Sequence, residues 1–460
     1  MGNFWDFSTW GFFNLIAVLL ASLLAANMLK RSIPALRVSL IPTSVLGGGI
    51  LLLISVIYNT VTGQELFDTE FFGGNGTAWL ELLTYHMLAL GFTASALKTS
   101  GGKLTKERSV EIFNTGLTTV STYLIQAFVG MVVCIIAGFF LDELMEAAGL
   151  LLALGYGQGT GQAMNYGNIY EVDYGFVGGK SFGLTVAAMG FLSASIGGVI
   201  HLNILRRKGK VNLDKGSGVS NEEVEGTNEI PMQESIDKFT IQVALIMAAY
   251  LLAYFMMFLL GNLIPGLKST IYGFNFLLGV LSATILKNVL NALQKRNIIH
   301  RHYTNNFLLT RATNFFFDIM VTAGIAAIRM HIISQYWWVL LILGVVGMAV
   351  TYVYVYFVCR KLFPDYTEHQ FLAMYGMLTG TASTGVILLR EIDGDFKTPV
   401  SDNLVYQNFP AMVFGFPILI LATMAPQKPY LTLAIVAVFF VVINILLFRS
   451  FIFKKKKATK

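Results

Sequence analysis

The sequence predicts an all-α polytopic membrane protein: two inverted-topology repeats of five transmembrane helices plus a re-entrant hairpin each, with an extra C-terminal transmembrane helix. The 460 residues are 55% hydrophobic and only 13% charged, whereas soluble domains carry about 25% charged residues. Several apolar runs exceed the ~20 residues that cross a bilayer. One broken apolar motif occurs in each half, and the basic residues cluster between apolar runs.

The motif Y-G-x-x-T-G-x-A occurs at residues 156–163 and again at 375–382. Each copy lies in an apolar segment that ends in acidic residues. Glycine and threonine repeated in this way indicate a helix that breaks near its middle. Broken backbone at membrane depth is tolerated only where it is buried in protein or lines a wet cavity. Paired breaks at matching positions of two halves therefore predict the binding site of a transporter.

The order of apolar runs defines two repeats, at residues 1–207 and 239–425. The first repeat has predicted spans at 10–29, 38–58, 79–97, 112–141 and 176–205, and a re-entrant hairpin at 144–170. The second has predicted spans at 239–260, 269–290, 305–328, 336–359 and 404–424, and a re-entrant hairpin at 369–391. Residues 208–238 are polar and lack an apolar period, so we predict a soluble linker there. Residues 426–460 supply the extra span and a basic tail.

The distribution of Lys and Arg predicts the orientation in the membrane. With the N-terminus outside, the basic loops after the first, third and fifth spans fall inside, together with the linker and the lysine-rich tail. The second repeat then starts from the inside, which requires each hairpin to enter and leave on one side. We therefore expect a multi-pass protein of the cell (inner) membrane with a cytoplasmic linker and C-terminus. No basic region precedes the first apolar run, so we expect no cleaved signal peptide.

Hairpins that dip from opposite faces would bring their tips together near mid-membrane. The returning helix offers free N–H groups and a positive dipole end to a carboxylate, and the free oxygens suit a hard cation such as Na⁺. The predicted substrate-binding residues are Gln158, Gly159, Thr160, Gly161, Gln162, Asn165, Thr379, Gly380, Thr381 and Ser383. The predicted Na⁺ ligands are Thr160, Asp318, Thr379, Ser383 and Thr384. The alternative is that the small residues of both motifs only permit close helix packing.

Five further residues within the apolar segments have more than one interpretation. Asp318 lies mid-span, where it would bind Na⁺, relay a proton or pair with the arginine two turns earlier. His86 is either a proton carrier or a histidine that packs between helices. Arg390 either reaches a substrate carboxylate or pairs with the neighbouring glutamate at the surface. Asn408 and Pro410 indicate either a helix break near the site or an ordinary kink.

Three stretches carry a resemblance to a known family. Ile41 and Pro42 are followed closely by three glycines at 47–49, residues 87–92 read M-L-A-L-G-F, and residues 157–163 read G-Q-G-T-G-Q-A. In these features the chain resembles the bacterial sodium/glutamate symporters, over most of its length. The resemblance implies two inverted halves with one re-entrant loop each, Na⁺-driven uptake of glutamate, and a homodimer whose substrate-carrying part slides across the membrane.

The predicted function is therefore Na⁺-coupled symport of glutamate or a similar acidic amino acid by alternating access. Another carboxylate, such as a dicarboxylic or hydroxy acid, and proton coupling remain open. We expect no enzyme, because the spans carry no H-E-x-x-H, no G-x-S-x-G on a plausible turn and no Asp-rich metal motif. A passive channel would not need inverted halves. The expected partners are the carboxylate substrate, Na⁺, the bilayer and a second copy of the chain. No cofactor or nucleic acid is expected.

Overall fold

Helices account for all the regular structure that the computed structural model describes, in residues 3–98, 105–209, 236–393 and 398–452. The predicted all-α class is confirmed. The first half contains α1 (Phe7–Ser32), α2 (Pro34–Val38), α3 (Thr43–Thr62), α4 (Gly76–Leu97), α5 (Lys106–Gly138), α6 (Leu151–Tyr174) and α7 (Gly179–Arg207). The second half contains α8 (Lys238–Leu263), α9 (Lys268–Gly273), α10 (Asn275–Lys295), α11 (Asn306–Ala326), α12 (Met330–Ile333), α13 (Trp337–Leu362), α14 (Thr367–Thr379), α15 (Ala382–Arg390), α16 (Val400–Tyr406), α17 (Asn408–Met424), α18 (Pro429–Leu447) and α19 (Arg449–Ile452).

Nine helices in the described ranges are long and apolar enough to cross a membrane. They are α1, α3, α4, α5, α7, α8, α10, α13 and α18. A tenth is present if α16 and α17, bent by 47° at Gln407, count as one span. A helix satisfies its own backbone hydrogen bonds, which is why such segments are stable in lipid. The chain is thus a multi-pass membrane protein, as predicted.

Two details differ from the predicted spans. The span expected at 38–58 begins only at Thr43, because proline restricts the residue before it and Pro42 separates α2 from α3. The helix at the predicted span 305–328, α11, is not among the nine, since Arg311, Asn314 and Asp318 lower its hydropathy. Residues 210–235 of the predicted linker and the lysines at 454–457 lie outside the described residues.

Contacts divide the chain into two compact units. The first unit comprises Met1–Ala26, Leu46–Lys103 and Gly218–Ala327. Within it α4 packs against α10 and α11. Small residues permit this close packing: a Cβ on Gly91 would lie 2.5 Å from the ring of Phe317. The first unit therefore contains the first three long helices of each half.

The second unit comprises Asn27–Val45, Leu104–Ser217 and Ile328–Lys460. It contains α5, α6 and α7 from the first half, with α13 to α17 at the corresponding positions of the second. The additional helix α18 packs against α5. Asn444 fixes it there, because its amide donates to Ser121 Oγ and accepts from the hydroxyl of Tyr354, both at 2.8 Å. Both copies of the repeated motif lie in this unit.

Candidate functional site

The first motif breaks its helix at Gly159, which has φ 81° and ψ −172° within α6. This conformation is essentially restricted to glycine. Both ends of the segment meet one residue, Tyr336. Its hydroxyl donates to the carbonyl of Glu143 at 3.1 Å, and its ring lies 5.6 Å from that of Phe176. The segment therefore leaves and returns at the same place, as a hairpin with its turn at Gly159 would.

The second motif breaks the chain between α14 and α15. Gly380 has φ −143° and ψ −106°, and Thr381 caps α15 by accepting a hydrogen bond from the N–H of Thr384. The two helices pack against each other so closely that a Cβ on Gly385 would overlap the carbonyl oxygen of Ala373. Residues 367–390 are thus a helical hairpin, nearly at the predicted bounds of 369–391.

Helix α7 holds the two breaks side by side. The tyrosines that open the two motifs both bond to Ser193: Tyr156 through the serine Oγ at 2.8 Å, and Tyr375 by donating to its carbonyl at 2.9 Å. One turn earlier, a Cβ on Gly190 would overlap the carbonyl oxygen of Thr379 and lie 3.1 Å from the ring of Tyr156. The repeat in the sequence is therefore also a repeat of contacts around one helix.

Helix α5 contacts the carbonyl groups that the breaks leave free. The hydroxyl of Tyr123 donates to the carbonyl of Gly157 at 3.0 Å. The amide Nε2 of Gln126, one turn on, donates to the carbonyl of Leu378 at 2.9 Å and to Thr351 Oγ1 at 2.8 Å. Sequence reasoning missed Gln126, although a polar residue at membrane depth is itself a signal of function.

Several buried polar atoms at this place have no hydrogen-bond partner within the described part of the chain. They are Thr160 Oγ1, both amide atoms of Gln162, and Gln126 Oε1. Thr160 and Gln126 are fully buried, and Gln162 is 1% exposed. An unpaired buried polar group destabilises a protein by about 1–3 kcal/mol. Because such groups occur together at a break in the backbone, they fit a site that a polar ligand completes.

The remaining predicted hairpin residues lie in the same unit. Thr379 and Thr384 are fully buried, and Asn165 is nearly so. Thr379 Oγ1 donates to the carbonyl of Tyr375 at 2.7 Å. Gln158 is half-buried, Gly161 is buried, and the side chain of Ser383 lies outside the described atoms.

The acidic residues that follow each motif bond at the ends of the hairpins. Glu171 accepts from the backbone N–H of Lys180 at 3.0 Å, and its other oxygen lies 3.7 Å from the ammonium of Lys180. Asp393 accepts from the backbone N–H of Thr398 at 2.9 Å and from its hydroxyl at 2.5 Å. The matched acidic ends thus stabilise the turns that follow the hairpins.

Two of the positions with open interpretations lie in the first unit. Asp318 is exposed on α11, as is Arg311, whose guanidinium stacks on the ring of Phe307 at 4.9 Å. His86 Nδ1 is 2.7 Å from the hydroxyl of Tyr250, a contact that a packing histidine would make.

The other three residues lie in the second unit. Arg390 is the exposed last residue of α15. Pro410 follows the bend at Gln407 and packs closely on Gly116 of α5, where a Cβ would lie 2.6 Å from the proline ring. The helix is therefore broken here, with the break just before Asn408.

The chemistry of the site suits a hard cation better than a transition metal. No group of three His, Cys, Asp or Glu side chains that could hold a metal occurs in the described ranges. The donors at the breaks are hydroxyl, amide and carbonyl oxygens, which are the ligands that cations such as Na⁺ and Ca²⁺ take in proteins. The residues therefore fit Na⁺.

Comparison with known proteins does not assign the chain to a family. No protein-family model matches the sequence, and a search of curated proteins finds no match. The resemblance to sodium/glutamate symporters accordingly stays a prediction.

Proposed function

We propose that the chain is a secondary active transporter that couples Na⁺ entry to uptake of glutamate or a similar acidic amino acid. The observation that carries this proposal is the set of unpartnered buried atoms on Thr160 and Gln162 beside the Gly159 break. The second break lies next to it, since Gly190 contacts both Tyr156 and Thr379. Two helix breaks that face one polar site are the arrangement expected of a transporter built from repeats.

The composition of the two units supports the proposed inverted repeat. Each half of the chain supplies its first three long helices to one unit, and its fourth long helix, broken segment and following helix to the other. In this proposal each broken segment is a re-entrant hairpin. The N-terminus is outside, the linker and tail are cytoplasmic, and two copies form a dimer in the cell (inner) membrane. Alternating access then slides the substrate-carrying part across the membrane.

In the proposed substrate complex the hairpin tips hold a carboxylate and Na⁺ together. The N–H groups at the start of α15 and after Gly159 receive the carboxylate, because helix N-termini favour anions. The amide of Gln162 hydrogen-bonds the substrate. Hydroxyl oxygens of Thr160, Thr379 and Thr384 bind Na⁺, and Asp318 contributes to ion coupling. Binding of the two ligands at one place makes transport of each depend on the other.

Uptake of labelled L-glutamate into proteoliposomes tests the proposal directly. We expect uptake with an inward Na⁺ gradient and almost none when K⁺ replaces Na⁺. No uptake by folded protein would contradict the glutamate assignment. Dicarboxylates and hydroxy acids, and a proton gradient, would then be tested in the same vesicles.

Counterflow separates a carrier from a passive channel. Vesicles preloaded with unlabelled substrate should accumulate label faster than empty vesicles, because a carrier returns loaded more readily than empty. A channel would show no such acceleration. Equal initial rates in the two preparations would contradict alternating access.

A further inference from the structure

A buried histidine lies at the base of the second hairpin, remote in sequence from both motifs. His201, on α7, is 3% exposed. Its Nε2 is 2.8 Å from Glu368 Oε2, at the start of α14, and its Nδ1 is 2.7 Å from the hydroxyl of Tyr352 on α13. One side chain thus joins three helices of the second unit. Neither the predicted site nor the proposed mechanism uses it.

The surroundings of His201 contain one carboxylate in direct contact. The ring packs on Phe371 at 4.3 Å and on Tyr356 at 5.6 Å. Other titratable or charged groups on the elements packed around it include Tyr356, Cys359, Arg360 and Lys361 on α13, His369 and Tyr375 on α14, Arg390 at the end of α15, Glu391 and Asp393 after it, and Arg206 and Arg207 in the last turn of α7. The side chain of Glu368 is 19% exposed, which gives the pair a route to water.

The hydrogen bonds of this cluster can be satisfied with and without an added proton. In both states Nε2–H donates to the carboxylate of Glu368. When the imidazole is neutral, Nδ1 accepts from the hydroxyl of Tyr352; when it is protonated, Nδ1–H donates to the same oxygen, because a phenol both donates and accepts. Adding the proton converts a neutral-to-ionic contact into an ion pair without breaking a bond. An ion-paired hydrogen bond in a buried site is the stronger one.

We propose that His201, Tyr352 and Glu368 form a proton-binding site that fastens the base of the second hairpin to α7 and α13 when the imidazole is protonated. The added proton comes from water and resides on Nδ1, because Nε2 already carries the hydrogen that it donates to Glu368. Fastening the base restricts movement of α14, which carries the second break at its far end. The effect of protonation on transport rests on the proposed function. The effect of protonation on the hairpin itself does not depend on that function.

Hydrogen exchange of the protein in lipid nanodiscs tests the site without any transport. Histidine changes charge between about pH 5 and pH 8. We expect amides at the start of α14 to exchange about fivefold more slowly at about pH 6 than at about pH 8, after correction for the intrinsic rate, because protonation adds the attraction of an ion pair to a hydrogen bond that already involves the carboxylate. The same difference in His201→Gln, or none in the wild type, would overturn the proposal.

Three variants separate this site from its neighbours. His369→Gln, on the next residue, should keep the pH-dependent difference in exchange, and its loss there would assign the effect to His369 instead. Glu368→Gln retains a hydrogen-bond acceptor without the charge and should abolish the difference. Tyr352→Phe should reduce the difference, because the protonated ring then has an unpaired N–H. If His201→Gln does not fold, these last two variants decide the matter.

Uptake measurements then connect the site to transport. Na⁺-dependent uptake should fall about fivefold from about pH 8 to about pH 6 in the wild type, in parallel with the exchange rates. It should stay nearly constant in Glu368→Gln. A pH-dependent difference in hydrogen exchange without any uptake would support the proton-binding site and contradict the proposed function. Uptake without a pH-dependent difference in exchange would contradict the proton-binding site and leave the proposed function in place.

Discussion

At the scale of single residues, the notable feature is a set of buried polar atoms that have no hydrogen-bond partner in the described part of the chain. Gln162 is 1% exposed, and neither of its amide atoms has a hydrogen-bond partner among the described residues. By contrast Gln242, equally buried on α8, donates to the carbonyl of Tyr303 at 2.7 Å and accepts from the N–H of Asn305 at 3.0 Å. The two glutamines are almost equally buried, and they differ in the hydrogen-bond partners that the fold places beside them.

This contrast gives a prediction that separates a binding role from packing. Gln162→Leu should raise the free energy of unfolding by about 1 kcal/mol, because it removes unpaired polar atoms, and should reduce substrate affinity at least about tenfold. Gln242→Leu should instead destabilise the protein, since its backbone partners lose their bonds. Denaturation in detergent and labelled uptake measure the two effects. Unchanged affinity in Gln162→Leu would favour the interpretation that the motif serves only helix packing.

Asp318 allows a separate test of ion coupling. If its carboxylate binds the coupling ion, Asp318→Asn should raise the Na⁺ concentration for half-maximal uptake at least about tenfold, because loss of a negative charge weakens cation binding. Asp173→Asn, which alters an exposed carboxylate near the end of α6, is the control and should leave that concentration unchanged. An unaltered Na⁺ dependence in Asp318→Asn would remove this residue from the site.

At the scale of helices, α5 and α7 hold the two broken segments together. Broken helices leave carbonyl and N–H groups without partners. Side chains of α5 satisfy two of those carbonyls, and Ser193 on α7 bonds to the tyrosines of both motifs. The breaks are therefore supported by unbroken neighbours. The tips can retain unpaired groups for a ligand without unfolding.

The close approach of α7 to both breaks predicts an effect of a single methyl group. Gly190→Ala should destabilise the protein by about 1–3 kcal/mol and reduce uptake, because the new Cβ overlaps the carbonyl oxygen of Thr379. Gly415→Ala on α17 is the matched control. Its Cβ would lie at an ordinary 3.6 Å from Val120, so it should be neutral or slightly stabilising. Thermal unfolding compares the two variants, and equal midpoints would contradict the described packing.

At the scale of the whole molecule, each unit takes equivalent segments from both halves of the chain. A gene that had simply joined two independent domains would place each half in its own unit. Interleaving of this kind is expected of repeats whose matching helices pack together. It supports the proposed division into two repeats, and their opposite orientation in the membrane stays a prediction from the distribution of Lys and Arg.

Surface labelling of intact cells tests that topology. Gln64→Cys lies between the second and third predicted spans and Lys208→Cys lies after the fifth; both native positions are exposed, and the native cysteines are buried. A membrane-impermeant maleimide should label the first variant in intact cells and the second only after permeabilisation. The reverse pattern would indicate the opposite orientation in the membrane. Labelling of both variants, or of neither, in intact cells would contradict the predicted number of spans between residues 64 and 208.

Much of the architecture was accessible from the sequence because lipid imposes a simple rule. Apolar runs of sufficient length become helices, and nine helices in the described ranges meet that standard. The motif at 156–163 and 375–382 also predicted the position of both breaks. Gly159 could be anticipated because only glycine tolerates its backbone angles. Pro410 signalled a break in its helix, although the bend itself falls at Gln407.

Other features could not be predicted because they depend on contacts between segments distant in the chain. Gln126, Ser193 and Gly190 act through partners in other helices, and nothing adjacent to them in sequence reveals those partners. The His201–Glu368 pair has the same character. The acidic residues after each motif were visible as a pattern, but their bonds to Lys180 and Thr398 were not.

The sequence by itself determined that this chain is helical, lies in a membrane and carries two matched helix breaks. Those properties are local, because burying backbone in lipid requires each helix to satisfy its own hydrogen bonds. The tertiary structure alone decided that the breaks lie side by side, that α5 and α7 support them, and that Gln162 and Thr160 are left without partners. Hydrogen-bond satisfaction in a packed interior depends on what the rest of the chain brings to each atom, and no local pattern specifies that.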